Sequence, residues 1–349
     1  MRALTISEHG GLERLEYRTD LPVPALHNPT DVRVRIHGAA LNHLDLFVVH
    51  GLPGVTITPP WIMGADGAGV VEEVGSAVRE LAVGDHVVIN PGISDRTCEY
   101  CRRGEPSLCV HYRILGEHLP GTLADYVVVP AVNLRVVPPD TPWDIAAAFS
   151  LATLTAWRMV VTRARVREGE TVLIWGIGGG VAAAALQVAR LQGARVWVTS
   201  GSDAKLARAR ELGAEETFNH ASMDVAHEVR ARTGKRGVDV VIDNVGQATW
   251  TSSLRALCKG GRLVTCGATT GPMVETDVRR LFWNQWTIMG STMGNDREYD
   301  DAVRAFRSGA LIPPIDSVYS MREGVAAFER LASGEHFGKV VIRVAEPGD

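Results

Sequence analysis

Four residues in one short stretch have the types and spacing to hold a metal: Asp95, Cys98, Cys101 and Cys109. Gaps of two and seven residues between three thiols on one loop suit tetrahedral zinc, and Asp95 stands where a fourth ligand belongs. A carboxylate oxygen is a weaker partner than sulfur in a thiolate-rich set, but a legitimate one. A site filled by four protein ligands is closed, so its expected role is loop stability rather than chemistry. The plainer alternative is three idle thiols in a reducing compartment. Cys258 and Cys266 lie in or beside strand-like segments and read as small core residues.

A second group could cradle a phosphate. Gly176, Gly178, Gly179 and Gly180 follow a short apolar strand-like run, 171–175. An alanine-rich helical stretch starts at Val181 and runs over 181–191, Gly193 stops it, and 195–199 returns as a β-branched strand. In such a βαβ unit the glycines let the backbone approach a pyrophosphate, and the helix N-terminus faces its charge. Gly176 and Gly178 fit the first two positions of G-x-G-x-x-G, with Val181 at the third. Shifted by one, Gly179 and Ala182 fit the second and third, with Ile177 at the first. The second strand ends Thr199-Ser200-Gly201-Ser202, where an NAD site usually carries an acid for the ribose 2′-OH. Small hydroxyl residues replace that acid and Lys205 and Arg208 follow, which suits a 2′-phosphate. NADPH is therefore expected ahead of NADH. The bland reading is a polar strand end beside a solvated helix face.

These groups need elements to position them. The chain has 349 residues, enough for two domains with separate cores. It is 46% hydrophobic and 22% charged with net charge −4, which gives neither a nucleic-acid footprint nor a basic membrane patch. Only four of its 36 basic residues are lysines. The start reads as a strand entering a turn, not as a signal peptide, and no apolar stretch reaches membrane-spanning length. A cytoplasmic protein acting on a small molecule is expected.

Residues 1–150 carry short β-branched runs (32–36, 67–74, 85–89, 126–129) between Gly, Pro and Asp turns, the pattern of a barrel-like domain. Helical patterning takes over at 140–162. From 171 onward strands and helices alternate: after the βαβ unit, helices at 203–212, 224–233 and 249–257, with strands near 216–219, 238–244, 261–266 and 287–289. That alternation fits a doubly wound parallel sheet. Helices at 300–309 and 325–333 and a strand at 340–344 could rejoin the first domain.

Many short motifs, in order, resemble the medium-chain dehydrogenase/reductase family, which includes zinc alcohol dehydrogenases and zinc-free quinone reductases. They include Gly64-Ala65-Asp66-Gly67-Ala68-Gly69, Val83-Gly84-Asp85-His86-Val87, Gly121-Thr122-Leu123-Ala124-Asp125-Tyr126, Leu154-Thr155-Ala156-Trp157 and Gly338-Lys339-Val340-Val341. The resemblance spans essentially the whole chain. It implies an α/β protein with a GroES-like β-barrel catalytic domain (1–152 and 293–349) around an inserted Rossmann domain (153–292). It further implies that Thr155 and Gly267-Ala268-Thr269 lie near the nicotinamide and that Lys339 serves as a cation near the phosphates. The segment 286–293 resembles the part through which family members pair, so a homodimer or homotetramer is expected.

The resemblance also exposes a departure. Zinc-dependent members hold a catalytic zinc with Cys, then His-Glu, then a second Cys or Asp. Those positions fall on Asn42, Ala65-Asp66 and Leu151. One carboxylate cannot build a three-ligand site, so no catalytic zinc is expected. Without a Lewis acid, alcohol oxidation loses its usual means of lowering the hydroxyl pKa. Reduction of a conjugated carbonyl compound (enone, enal or quinone) needs only a donor near the oxygen and a proton source.

Asn42, His43 and Asp45 resemble the Asn-x-x-Asp segment of zinc-free members. Asn42 would donate to a carbonyl or to the cofactor, and His43 is the nearest donor titrating near neutral pH. Each also has a structural reading, His43 as a satisfied histidine and Asp45 as an orienting carboxylate. Asp66 could hold a backbone or a cleft water. Trp61 and Phe47 could flank a planar substrate or simply pack, and His50, His111 and His118 could serve some other metal arrangement. Two rivals stand beside this reading: an alcohol dehydrogenase or carbonyl (or imine) reductase of the same family, and a nucleotide-binding protein without turnover.

Overall fold

The computed structural model describes residues 1–345, which form two compact units. The first joins Met1–Leu151 to the described residues from Asn295 on, and the second is Ala152–Gly294.

In the first unit the strand Asp31–Ala40 is the hub. It alternates Val32, Val34 and Ile36, at 0%, 0% and 1% exposure, with the half-exposed Arg33 and Arg35. That period of two sends one face into the barrel core, where each buried aliphatic contributes about 1.5–3 kcal/mol. The hub pairs antiparallel with Asp66–Val74, Tyr126–Pro130 and Lys339–Arg343. The sheet continues through His86–Ile89 and Leu134–Val136 on one side and Ile315–Ser320 on the other. The strand at the far end of the chain thus completes the barrel begun at its start.

Register decides what meets at the end of the hub. Ala40 lies opposite Asp66 on one side and opposite Val341 on the other. Directly opposed residues share a face of the sheet, and so do residues two apart on one strand. Asp66, Ala40, Val341 and Lys339 therefore share one face, and Asn42, two residues beyond Ala40 in extended backbone, follows them.

The second unit is a six-stranded parallel sheet ordered 216–219, 195–200, 171–174, 238–243, 257–265, 287–290 along its width. Strand order reverses between Thr171–Ile174 and Val238–Asp243. Ligands of doubly wound sheets bind at the carboxyl ends of strands flanking such a reversal. The fold is the expected α/β one, a GroES-like barrel unit and a Rossmann unit. Some elements differ in extent. The helical region expected over 140–162 is divided into Trp143–Ala147, Ser150–Trp157 and a wider-wound turn at Arg158–Arg163. The helix expected at 300–309 starts earlier, at Asp296, because Asn295 and Glu298 close a capping box there.

Candidate active site

Three polar side chains from distant parts of the chain meet on the face set by register. Lys339 Nζ donates to Asp66 Oδ2 at 2.8 Å and to Asn42 Oδ1 at 2.5 Å. Asn42 Nδ2 donates to Asp66 Oδ2 at 3.0 Å and to Ala40 O at 3.4 Å. The Leu151 N–H donates to the other Asp66 oxygen at 2.7 Å. The ammonium only donates, so it fixes the orientation of the Asn42 amide, oxygen toward Lys339 and nitrogen toward Asp66. Asp66, Lys339 and Asn42 are 0%, 3% and 9% exposed, so the ion pair is sealed from water. Lys339 departs from its expected place beside the cofactor phosphates: its ammonium is buried against a carboxylate. Sequence reasoning missed this pairing because only strand register, across 273 residues, brings the two charges together.

Asn42 also caps the helix His43–His50, whose third residue, Asp45, reaches back to accept from the Asn42 N–H at 2.7 Å. Asp45 is 1% exposed, and burial pushes its carboxyl up to about 7. The Asn42 N–H and the Lys339 charge pull it down, and the nearby Asp66 charge adds to the rise. His43 is exposed, its ring 6.0 Å from that of His336. Trp61 is buried at 7%, with its Nε1–H donating to Gly116 O, whereas Phe47 is 37% exposed.

In the second unit the strand Thr171–Ile174 opens into the glycine turn. Gly176 and Gly178 take φ of +69° and +135°, a region costly for any residue with a Cβ. A Cβ on Gly176 would lie 3.4 Å from Val245 Cγ2, so the turn also presses on the loop after Val238–Asp243. The helix Gly180–Leu191 then begins at Gly179 with no side chain capping it, so its first N–H groups, at Gly180 and Val181, suit an anion. These residues fit the pyrophosphate of a nicotinamide dinucleotide.

The wall beside that turn rests on a residue the sequence reading passed over. Asp243 is fully buried and accepts from the Val245 and Gly246 N–H groups at 2.9 and 3.0 Å. It also accepts from Thr249 Oγ1 and from Ser253 Oγ, the latter at 2.6 Å. The segment 267–271 is tied to the same loop, with Thr270 N and Oγ1 donating to Val245 O at 3.0 and 2.9 Å. Gly267, Ala268 and Thr269 lie on that ledge. The signal was present in Val238–Asp243, where the buried apolar run Val240-Val241-Ile242 leads straight into an acid. Thr155, in the helix Ser150–Trp157, is 6% exposed, its hydroxyl 3.8 Å from Met293 Sδ.

At the end of the strand Arg195–Ser200, Ser200 is buried at 4% and its Oγ accepts from the Ser202 N–H. Ser202 caps the helix Asp203–Glu211 by accepting from Lys205 N. The nearby acid, Asp203, accepts from Asn219 Nδ2 at 2.7 Å. Gly201 sits beside His220, whose Nε2 would be 3.2 Å from a Cβ there.

The metal-ligand set converges as its spacing implies. One ligand atom each from Asp95, Cys98, Cys101 and Cys109 lie within 4.8 Å of one another, the one such group among the described residues. The Asp95 and His111 N–H groups point at Cys109 Sγ from 3.4 and 3.3 Å. The Cys98 and Thr97 N–H groups hold the Asp95 carboxylate ionised, well below the usual carboxylate range. Three sulfurs and one anionic oxygen fit zinc, which would cross-link the loop when bound.

A barrel with a polar buried centre and a Rossmann unit with a bare helix N-terminus define a nicotinamide-dependent oxidoreductase. Residues 28–139 match the alcohol dehydrogenase GroES-like domain and 180–308 the zinc-binding dehydrogenase domain. Among curated relatives, an NAD-dependent alcohol dehydrogenase of Sulfolobus acidocaldarius is 30% identical over 99% of this chain and 100% of its own length. The human quinone oxidoreductase is 27% identical over 98% of this chain and 97% of its own. Among solved structures, an NAD-dependent alcohol dehydrogenase superimposes with TM-score 0.95 at 43% identity, covering 99% of this chain and 100% of that one. The 2-octenoyl-CoA carboxylase reductase CinF, in complex with NADP and 2-octenoyl-CoA, does so with TM-score 0.92 at 27% identity over 99% of this chain and 88% of that one. The chain belongs to the medium-chain dehydrogenase/reductase family of zinc-type alcohol dehydrogenases and quinone oxidoreductases.

Proposed function

We propose that this protein reduces a conjugated carbonyl compound (an enone, enal or quinone) with NADPH, and without a catalytic zinc. The observation that carries the reading is the donor set at the buried centre. Ala65 and Leu151 offer no ligand atom, Asn42 has its amide committed on both sides, and both oxygens of Asp66 already accept from protein donors. A three-ligand zinc site has nothing to form from there.

Bound NADPH supplies the hydride. The glycine turn and the first N–H groups after Gly179 would hold its pyrophosphate. Ser200, Gly201 and Ser202 leave room for a 2′-phosphate where an NAD site would carry a competing carboxylate. In a conjugated substrate the carbonyl itself takes up the developing negative charge, so the reaction needs a positioned donor and a proton rather than a Lewis acid. CinF, whose structure is a complex with NADP and 2-octenoyl-CoA, lends support at the level of chemistry.

We also infer a homodimer or homotetramer built through the edge strand Thr287–Gly290, which among the described residues pairs on one side only, with Arg262–Thr265 of the neighbouring strand. The preceding helix, Val278–Asn284, leaves Phe282 and Trp283 at 64% and 72% exposure. Among the described residues no helix is long and apolar enough to cross a membrane. We place the protein in the cytoplasm, where the free thiols of the ligand loop would stay reduced.

A second reading is favoured by the names of the relatives: an NAD-dependent alcohol dehydrogenase or carbonyl reductase. The test is a panel of enones, enals, quinones, ketones and aldehydes with NADPH and NADH, and alcohols with both oxidised forms. The proposal expects NADPH-linked turnover on conjugated carbonyls, unaffected by added zinc. Alcohol oxidation with NAD that needs zinc beyond one per chain would establish the second reading. Tight NADPH binding without turnover would mark a binding protein.

A further inference from the structure

The dinucleotide-binding unit carries a titratable ring at the corner where a Rossmann sheet meets the ribose 2′ position. The strand Arg195–Ser200 ends at Ser200, which lies opposite Asn219 in the parallel ladder. The His220 N–H donates to Ser200 O at 3.0 Å, which locks the two strand ends side by side. His220 is therefore the first residue to leave the neighbouring strand, Glu216–Asn219. It does so beside the strand end that, in an NAD site, carries the acid for the ribose 2′-OH.

The ring has a defined seat. A Cβ on Gly201 would lie 3.2 Å from His220 Nε2 and 3.7 Å from Cδ2, so the Nε2 edge covers Gly201. A larger residue at 201 would press on that edge. On the other side Nδ1 lies 3.4 Å from Thr199 Oγ1, and the ring stands 6.0 Å from that of Trp175. Thr199 Oγ1 also accepts from the N–H of Gly176, the first glycine of the turn, at 3.3 Å. The Thr199 hydroxyl keeps its own hydrogen to donate to Nδ1, which puts the ring proton on Nε2. Among the described residues nothing bonds to Nε2, and His220 is exposed. The acids on adjoining elements are engaged elsewhere: Asp203 accepts from Asn219 Nδ2, and Asp224 pairs with Arg255. Lys205, third residue of the helix Asp203–Glu211, adds a positive charge to this corner. Burial of part of the ring holds the imidazole below its ordinary value, so it waits as a neutral donor.

We propose that His220 sets the choice of cofactor, its Nε2–H donating to the 2′-phosphate of NADPH beside Gly201. This rests on the NADPH reading and names a specificity-determining residue for it. NADH offers a neutral hydroxyl at that place, a weaker partner than a phosphate oxygen. A phosphate also favours the charged form of an imidazole beside it, so NADPH binding takes up a proton that NADH binding does not. The preference for NADPH therefore strengthens as pH falls through neutrality and fades in alkali.

The test measures affinity of the whole protein for NADPH, NADH, 2′,5′-ADP and 5′-AMP between about pH 6 and pH 8. The two adenosine fragments report on this corner without the nicotinamide. Wild type should bind NADPH and 2′,5′-ADP more tightly at the acid end, with proton uptake seen by calorimetry in buffers of different ionisation enthalpy. His220→Ala should weaken NADPH and 2′,5′-ADP by roughly tenfold or more and leave NADH and 5′-AMP within about twofold. His220→Gln, which donates but does not titrate, should keep part of the preference and lose its pH dependence. An unchanged NADPH-to-NADH ratio in His220→Ala, or an equal loss of both cofactors, would overturn the proposal and leave the NADPH reading standing. Wild type that binds NADH as tightly as NADPH would instead remove that reading, and this role with it.

Discussion

Lys339 and Asp66 form a 2.8 Å ion pair at 3% and 0% side-chain exposure. Neither charge can reach water, so each is tolerable only because the other is present. Lys339→Met leaves a sealed carboxylate unpaired and should cost about 3–5 kcal/mol. Adding Asp66→Asn removes that charge too, so the double mutant should be less destabilised than the sum of the singles. Denaturant unfolding of the four proteins at pH 7 gives the coupling, and strict additivity would contradict the account.

Asp45 should leave a signature in the pH dependence of stability. Its carboxyl is held at about 7 in the folded protein, against the 3.8 of an ordinary aspartate side chain. The folded state therefore prefers the neutral acid. Its contribution is fully present below about pH 4 and is lost as pH rises through about 7. Asp45→Asn can still accept the Asn42 N–H but does not ionise. Relative to wild type, it should gain stability between about pH 4 and pH 7 and then level off. Thermal melts across that range check the slope, and parallel curves would mean that Asp45 stays ionised.

The ligand loop makes a stoichiometric prediction. Purified protein should carry at most one zinc per chain, released by Cys98→Ser or Cys109→Ser, with a lower melting temperature and NADPH affinity retained. Asp95→Cys should bind the metal more tightly, because sulfur suits zinc in a thiolate-rich set. Elemental analysis decides it, and a second zinc surviving Cys109→Ser would put a metal where none is expected.

Asp243 joins stability to cofactor binding. Four protein donors converge on its buried oxygens, so Asp243→Ala should cost about 3 kcal/mol or more. It should also weaken NADPH binding, because the loop pressed against Gly176 loses its anchor. Unfolding and fluorescence titration on the same variant test both, and unaltered affinity in a folded variant would detach this loop from the site.

Much of the architecture could be read locally. The alternation at Val32, Val34 and Ile36 and the apolar runs of the parallel sheet state their burial in their own spacing. So do the cysteine gaps, since a loop of that length can close on one ion. The helix His43–His50 was not legible, because its residues are apolar nearly all round and show no narrow stripe. The partnership of Lys339 with Asp66 was not legible either. It depends on which strand lies beside which, and no short window of sequence contains that. Motif order alone offers Lys339 no anion but the cofactor phosphates.

The hub strand draws its partners from both ends of the chain, and this orders events during synthesis. When a ribosome has made the first 151 residues, Asn42 and Asp66 already exist, but the edge of the hub that pairs with Lys339–Arg343 is still open. The whole cofactor-binding insert emerges and can fold before the missing strand arrives. Until then the nascent barrel carries an uncompensated carboxylate and an unpaired strand edge. A message truncated shortly before codon 339 would release a chain able to build its dinucleotide fold but unable to neutralise the buried Asp66 of its barrel.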